Sequence, residues 1–89
     1  MTGARWLLDA LAADGVEFLF GNPGSTELPI IDALASTPSP RFVLGLHEGV
    51  VMGMADGYAQ QSGRLAAVNV HVQPGLANAM AGILNAARA

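Results

Sequence analysis

The sequence contains no cysteine and no lysine, and only 12% of its residues are charged. Without cysteine, disulfides, thiolate metal sites and cysteine nucleophiles are excluded. A protein that binds nucleic acid needs clustered cations to neutralise phosphates. The four basic residues are instead scattered along the chain, at Arg5, Arg41, Arg64 and Arg88. We therefore expect no nucleic acid partner.

Long hydrophobic runs are also missing from the chain. No apolar run approaches the roughly 18 residues that a membrane span needs. The first segment, MTGARWLLDALAADG, has polar residues inside its apolar part and no ending typical of a cleavage site. It is typical of an amphipathic helix and not of a signal peptide. We therefore expect no membrane association and a cytoplasmic location.

The low charge is unusual for so small and apolar a chain. Of its 89 residues 52% are hydrophobic, whereas ordinary soluble domains carry about 25% charged residues. A chain of this size buries only about 60–65% of the surface that it exposes when unfolded. We infer that part of its surface is normally covered by more chain or by a partner.

Helical and extended patterns alternate along the sequence. Glycines at 15 and 63 are expected to end helices, and Ser25 or Thr26 to cap one. Strands joined by helices run parallel, with right-handed crossovers. The predicted helices are residues 4–14, 25–36, 47–61 and 76–87, and the predicted strands are residues 16–20, 41–45 and 65–70. The fold class is therefore α/β, a partial doubly wound parallel sheet of three strands in the order α-β-α-β-α-β-α.

Parallel sheets are normally covered on both faces and are usually larger than three strands. Residues 1–89 are therefore predicted to be the front part of a larger domain. Residues Val72 to Gly75 are predicted to form a turn before the last helix.

Polar residues follow each predicted strand. Asn22 and Ser25 come after the first strand, His47 and Glu48 after the second, and His71 after the third. Ligands of open α/β sheets bind outside the carboxyl ends of the strands, and adjacent strand ends lie about 5 Å apart. These side chains are predicted to line one ligand crevice, provided that the three strands are neighbours.

Each of these polar residues also has a purely structural interpretation. Glu48 could be a helix-start carboxylate, which the helix dipole stabilises by about 0.3–1 kcal/mol. His71 could be a core histidine bonded to the backbone, Ser25 a helix cap and His47 a loop histidine. The functional interpretation makes Glu48 a carboxylate that exchanges a proton among apolar groups, and His71 an acid/base or orienting group.

Several known motifs are excluded. His47 and Glu48 do not form the zinc pattern H-E-x-x-H, because position 51 is valine. The turn Gly21-Asn22-Pro23-Gly24 lacks the third glycine of the dinucleotide fingerprint and the Gly-Lys-Ser/Thr ending of a P-loop. We expect neither a metal site nor a diphosphate site within this chain, and the residues by themselves name no ligand.

Taken together, the segments resemble a known family. The similarity is to the N-terminal, pyrimidine-binding domain of thiamine-diphosphate-dependent enzymes, a group that includes acetolactate synthase, pyruvate decarboxylase and benzoylformate decarboxylase. It covers nearly the whole chain. The segments that carry it, in order, are FGNPGSTELP (20–29), LHEGVVMGMADGYA (46–59), VNVH (68–71) and PGLANAM (74–80). The turn after the first strand and the histidine after the third most resemble benzoylformate decarboxylase.

The resemblance implies a role for each matching residue. Glu48 matches the glutamate that hydrogen-bonds the aminopyrimidine ring of the cofactor. In the family this bond helps the thiazolium carbon of the cofactor to lose its proton. The cofactor then accepts the electrons of a 2-oxo acid that loses carbon dioxide. His71 matches a histidine that moves protons on intermediates, and Ser25 a serine that contacts the substrate carboxylate. Pro74, Gly75 and Asn78 match a segment near the pyrimidine and the dimer contact.

The family also implies parts that this chain does not contain. Its members run to several hundred residues, with central and diphosphate-binding domains, and the last of these holds Mg²⁺ and the diphosphate. Their active site forms between the pyrimidine domain of one subunit and the diphosphate domain of another. The resemblance thus implies half of a site, a homodimer or homotetramer when full-length, and an isolated chain without activity.

Two other functions stay open. One is carboligation of two 2-oxo acids, as in acetolactate synthase, with FAD possible in a central domain. Acetolactate synthases usually have a Gly-Pro-Gly segment and no histidine after the third strand. This chain has both His71 and the pair Pro74-Gly75 in that region. The other is a non-catalytic α/β interaction module.

Overall fold

The computed structural model describes residues 2–88, which form alternating helices and parallel strands. A 3-10 turn, Ser25–Glu27, precedes the second α-helix. The elements are α1 (Gly3–Ala13), β1 (Phe18–Gly21), α2 (Leu28–Leu34), β2 (Arg41–Leu44), α3 (Glu48–Ser62), β3 (Ala67–Asn69) and α4 (Val72–Arg88). The predicted α/β class and element order are confirmed.

The sheet has the strand order β2-β1-β3, and both strand pairs are parallel. Gly21, the last residue of β1, lies opposite Leu44 on one side and Asn69 on the other. The carboxyl ends of all three strands therefore meet at one edge, as the crevice prediction required. From the central strand β1 the chain runs to β2 on one side of it. From β2 the chain then crosses to β3, on the other side of β1. The ends of β1 and β3 thus form a topological switch point, where α/β sheets bind ligands.

Alternating residues of the central strand face opposite sides of the sheet. Phe20 packs in a buried cluster with Val51 and Ala55 of α3, and α3 also packs against α4. The helices α1 and α2 pack against each other, where Leu8 is fully buried. The connection through α2 moves one way along the sheet, and the connection through α3 moves back the other way. Because both crossovers are right-handed, α2 and α3 lie on opposite faces, so the central strand is covered on both faces.

Glycines end two helices, as predicted. Gly15, with φ of 87°, follows α1, and Gly63, with φ of 69°, caps α3. These left-handed conformations favour glycine because it has no Cβ. At the end of α1 the amide of Val16 donates to the carbonyl of Leu11 at 3.0 Å, and that of Gly15 donates to Ala12 at 3.0 Å. This is the Schellman pattern, and it turns the chain directly into β1.

The predicted turn at residues 72–75 is wrong, because α4 already begins at Val72. The amide of Gly75 donates to the carbonyl of His71 at 3.0 Å and closes the first helical turn. Pro74 is tolerated there because the first turn of a helix leaves its amide groups without helical partners. The junction is tight: Val72 has φ of 51°, a left-handed conformation that is rare for a β-branched residue.

The predicted cap of the second helix is also wrong. Neither Ser25 nor Thr26 caps it; Gly24 occupies the N-cap position of the 3-10 turn. The carboxylate of Glu27 reaches back and accepts the amide hydrogen of Gly24 at 2.7 Å. A side chain inside the turn thus satisfies the backbone donor ahead of it, and the hydroxyls of Ser25 and Thr26 are left available for other partners.

Candidate functional site

The first candidate residue, Glu48, is the first residue of α3. Only 8% of its surface is exposed. His47 caps the helix, because its Nδ1 accepts the amide hydrogen of Gly49 at 2.9 Å. The amino end of a helix favours a negative charge. The helix start therefore fixes a buried carboxylate just beyond the end of β2, and the structural role of Glu48 does not conflict with a chemical one.

The first turns of α4 lie over the Glu48 carboxylate. A Cβ placed on Gly75 would stand 3.1 Å from Glu48 Oε2, so the glycine lets the backbone of α4 lie close to that oxygen. Asn78 Nδ2 lies 3.4 Å from Glu48 Oε1, which is long for a hydrogen bond. The carboxylate therefore keeps hydrogen-bonding capacity for a ligand. Gly75 and Asn78 thus lie beside Glu48, while Pro74 is exposed on the same turn.

The second candidate residue, His71, pairs with a residue that the sequence did not single out. Its Nδ1 lies 2.9 Å from Oε2 of Glu27 and 3.2 Å from Oε1. The hydroxyl of Thr26 lies 3.2 Å from the same nitrogen. The pair bridges the ends of β3 and β1, at the switch point of the sheet. The partners are 44 positions apart in the sequence, so no local pattern reveals the contact.

Glu27 is buried, with 8% of its surface exposed. Burial works to raise the pKa of this carboxyl, but hydrogen bonds from the Gly24 amide, the Thr26 hydroxyl and the His71 ring together outweigh it. The pKa of Glu27 is therefore held below its ordinary value of 4.5. The carboxylate stays charged at neutral pH and presents only acceptors to its neighbours.

The remaining candidate, Ser25, is exposed and opens the 3-10 turn that carries Glu27. Its position beside the Glu27–His71 pair leaves its hydroxyl at the rim of the site. The segment from Val70 to Gly75 joins the two halves of the site, since it contains His71 and its Gly75 lies against Glu48. The structure thus gathers a buried carboxylate and a carboxylate–histidine pair along one strand-to-helix junction.

Two further observations concern the part of the chain that the structure describes. Within residues 2–88 there is no group of three or more metal-binding side chains close enough to hold an ion. None of the helices in the same range is long and apolar enough to cross a membrane.

Comparison with known proteins gives a consistent result. The whole chain, residues 1–89, matches the family model described as "Thiamine pyrophosphate enzyme, N-terminal TPP binding domain", and thiamine pyrophosphate is another name for thiamine diphosphate. Benzoylformate decarboxylase of Pseudomonas aeruginosa is 49% identical over 79 residues, which are 88% of this chain and 14% of that enzyme. The acetolactate synthase large subunit of Haemophilus influenzae is 40% identical over 86 residues, which are 97% of this chain and 15% of that protein.

A solved structure shares the fold. The thiamine diphosphate-dependent 4-hydroxybenzoylformate decarboxylase of Rhodococcus jostii superposes with a TM-score of 0.77 at 44% identity. The superposition covers 92% of this chain and 15% of that one. The chain therefore spans about a seventh of the length of these relatives.

Proposed function

The chain belongs to the thiamine pyrophosphate enzymes, as their N-terminal TPP binding domain, and we propose that it forms the pyrimidine half of the active site of a 2-oxo acid decarboxylase. The observation that carries the proposal is Glu48, a carboxylate that is 8% exposed and lies at the meeting edge of three parallel strands. Bound thiamine diphosphate supplies the electron sink that a 2-oxo acid needs to lose carbon dioxide.

The residues present fit the cofactor. Glu48 Oε2 lies beside Gly75, which has no side chain to cover it, and the carboxylate has one long hydrogen-bond contact, to Asn78. We propose that Glu48 holds the edge of the pyrimidine ring there and moves a proton at its carboxylate, within a site shielded from water. Gly75 would allow the ring to approach, and Asn78 and Pro74 would border it.

We propose that the substrate lies on the side of the switch point. His71 is positioned to exchange protons with a bound 2-oxo acid, and the exposed Ser25 to donate a hydrogen bond to the substrate carboxylate. The Glu27–His71 pair supports decarboxylation over carboligation, because the resemblance associates a histidine at this strand end with benzoylformate decarboxylase. Acetolactate synthase activity remains the second candidate, supported by the 40% identity to the Haemophilus influenzae large subunit.

The rest of such an active site must come from other parts of a protein. We propose that the intact enzyme has a diphosphate-binding domain that holds Mg²⁺, contributed by a second subunit of a homodimer or homotetramer. Two surfaces of the chain support a requirement for further protein. The groove of about 600 Å³ beside β3 is lined by Leu65, Ala66 and Val68 together with residues of α3 and α4. Large apolar side chains are also exposed at Leu46, Val50, Leu76, Met80 and Leu84.

A chimera tests the proposal. Residues 1–89 would replace the aligned segment of the Pseudomonas aeruginosa benzoylformate decarboxylase, and decarboxylation of benzoylformate would be assayed with thiamine diphosphate and Mg²⁺. We expect an active chimera whose kcat falls about 10²–10⁴-fold on Glu48→Ala. Glu17→Ala is the matched control, because Glu17 is a surface carboxylate paired with Arg64 at 2.7 Å. Near-normal turnover by the Glu48→Ala chimera contradicts the proposal.

A second chimera separates the two reactions. The same residues would replace the aligned segment of the Haemophilus influenzae acetolactate synthase, with products analysed from pyruvate and from an aromatic 2-oxo acid. Activity only in this second scaffold favours the carboligase. Inactivity in both, with a folded domain, favours a non-catalytic interaction module. The 89-residue chain alone is expected to show no tight cofactor binding by calorimetry, since it provides only the pyrimidine half.

A further inference from the structure

The two histidines of the chain make opposite kinds of hydrogen bond through the same ring atom. His47 Nδ1 faces the backbone amide of Gly49 at 2.9 Å, and an amide can only donate. His71 Nδ1 faces the carboxylate of Glu27 at 2.9 Å, and a carboxylate can only accept. A neutral His47 therefore carries its proton on Nε2, whereas a neutral His71 carries it on Nδ1.

The carboxylate of Glu27 is itself held in place from two other directions. Its Oε2 accepts the amide hydrogen of Gly24 at 2.7 Å, and its Oε1 accepts the hydroxyl of Thr26 at 3.0 Å. Since one of these donors is backbone and all atoms lie in one tight turn, the carboxylate has little freedom to turn away from His71. The lowered pKa of Glu27 agrees with a charged acceptor.

The ring of His71 is also confined by backbone. It lies directly over Gly24: a Cβ on that residue would stand 2.3 Å from His71 Cε1 and 2.4 Å from both ring nitrogens. Only a glycine leaves room for the imidazole there. The ring is thus fixed by one hydrogen bond at Nδ1 and by packing against the Gly24 backbone.

We propose that Glu27 is a positioning residue that fixes His71 in the tautomer with the proton on Nδ1, so that Nε2 is the ring nitrogen left to exchange protons with a ligand. The tautomer follows from the contacts of Glu27 alone, while its catalytic use rests on the proposed function. Neither Glu27 nor Gly24 would need to touch the cofactor or the substrate. Their effect would pass through the direction and protonation of one imidazole.

Glu27→Met is the variant that tests the tautomer. The Gly24 amide and His71 Nδ1 share one oxygen of the carboxylate, Oε2, so a glutamine could still serve both and would not be decisive. Methionine has a similar length and only a weak acceptor. Without the carboxylate, no strong acceptor of Glu27 holds the proton on Nδ1, and the Nε2–H form becomes accessible. Thr26→Val is the matched control, because it removes a neighbouring donor and leaves the carboxylate in place.

The measurement is ¹⁵N NMR of the 89-residue chain labelled at its two histidines, at a pH where both imidazoles are neutral. We expect opposite tautomers at positions 47 and 71 in the wild type and in Thr26→Val. Glu27→Met should shift His71 towards the Nε2–H form and leave His47 unchanged. An Nε2–H His71 in the wild type, or an unchanged His71 in a folded Glu27→Met chain, overturns the proposal. The wild-type spectrum decides the question even if that variant does not fold.

Kinetics of the benzoylformate decarboxylase chimera provide the second measurement. Loss of the carboxylate that orients the histidine in Ser-His-Asp triads lowers kcat by about 10⁴ through the wrong tautomer. We expect Glu27→Met to lower kcat at least about 100-fold with a smaller change in KM, and Glu27→Asp to retain more activity than Glu27→Met. Full kcat in Glu27→Met with a shifted tautomer overturns the catalytic role alone. Full activity in Glu48→Ala instead overturns the proposed function and leaves the tautomer result intact.

Discussion

Gly75 lies so close to Glu48 that a methyl group on its Cα would stand 3.1 Å from the carboxylate oxygen Oε2. The contact joins the first turn of α4 to the first residue of α3. The position of the proposed cofactor-binding carboxylate therefore depends on the absence of a side chain at residue 75.

Gly75→Ala should therefore impair function more than stability. The added methyl group displaces the flexible end of the Glu48 side chain, while alanine is the better helix former by about 1 kcal/mol. We expect the chimera to keep its thermal stability but to bind thiamine diphosphate at least about tenfold more weakly, measured by activity against cofactor concentration. Gly57→Ala is the control, since a Cβ there meets nothing within 4 Å. Unchanged cofactor dependence in Gly75→Ala would show that the site tolerates the methyl group.

The stability contributed by Glu27 should depend on pH with a definite sign. Its pKa is lowered in the folded chain from an ordinary value of 4.5, so the folded state favours the charged form. The contribution is fully present above the unfolded value and is lost as the pH falls through the lower folded value. The difference in free energy of unfolding between wild type and Glu27→Gln should thus be present above pH 4.5 and shrink as the pH falls below it. Denaturant unfolding across this range measures it, and a difference that grows in acid would contradict the assignment.

The cap of α3 should contribute to stability through His47. Its Nδ1 accepts the amide hydrogen of Gly49 at 2.9 Å, one of the donors that the start of a helix leaves without a helical partner. His47→Ala should lower the free energy of unfolding by about 1 kcal/mol, measured by chemical denaturation. His47→Asn is the control, because asparagine is a good helix cap and should restore most of the loss. An equal loss in both variants would show that the cap is not responsible.

Val72 carries backbone strain that a substitution can release. A left-handed conformation costs an L-residue roughly 1–2 kcal/mol, and asparagine is found there more readily than a β-branched residue. Val72→Asn should raise the free energy of unfolding by about 1 kcal/mol. Val50→Asn is the matched control: Val50 is 54% exposed and Val72 52%, but Val50 lies in the first turn of α3 without a positive φ. Equal effects at both positions, measured by chemical denaturation, would mean that Val72 stores no strain.

Much of the fold was predictable because it follows from local rules. The alternation of helical and extended patterns predicted the α/β order, and Gly15 and Gly63 marked the ends of two helices, since few other residues adopt a positive φ without strain. The same order predicted that polar residues after the strands would share one edge. The starts of α2 and α4 were predicted wrongly because local signals competed there. Pro74-Gly75 is typical of a turn but also fits a first helical turn, and Ser25 and Thr26 are good caps that a carboxylate replaced.

The sequence by itself determined the fold class, the family and the position of Glu48 at a helix start, because each depends on residues close together in the chain. Only the tertiary structure decided that Glu27 binds His71 and that Gly75 lies against Glu48. Those contacts join residues 44 and 27 positions apart. The parallel sheet creates them when its order β2-β1-β3 brings the distant strand ends together.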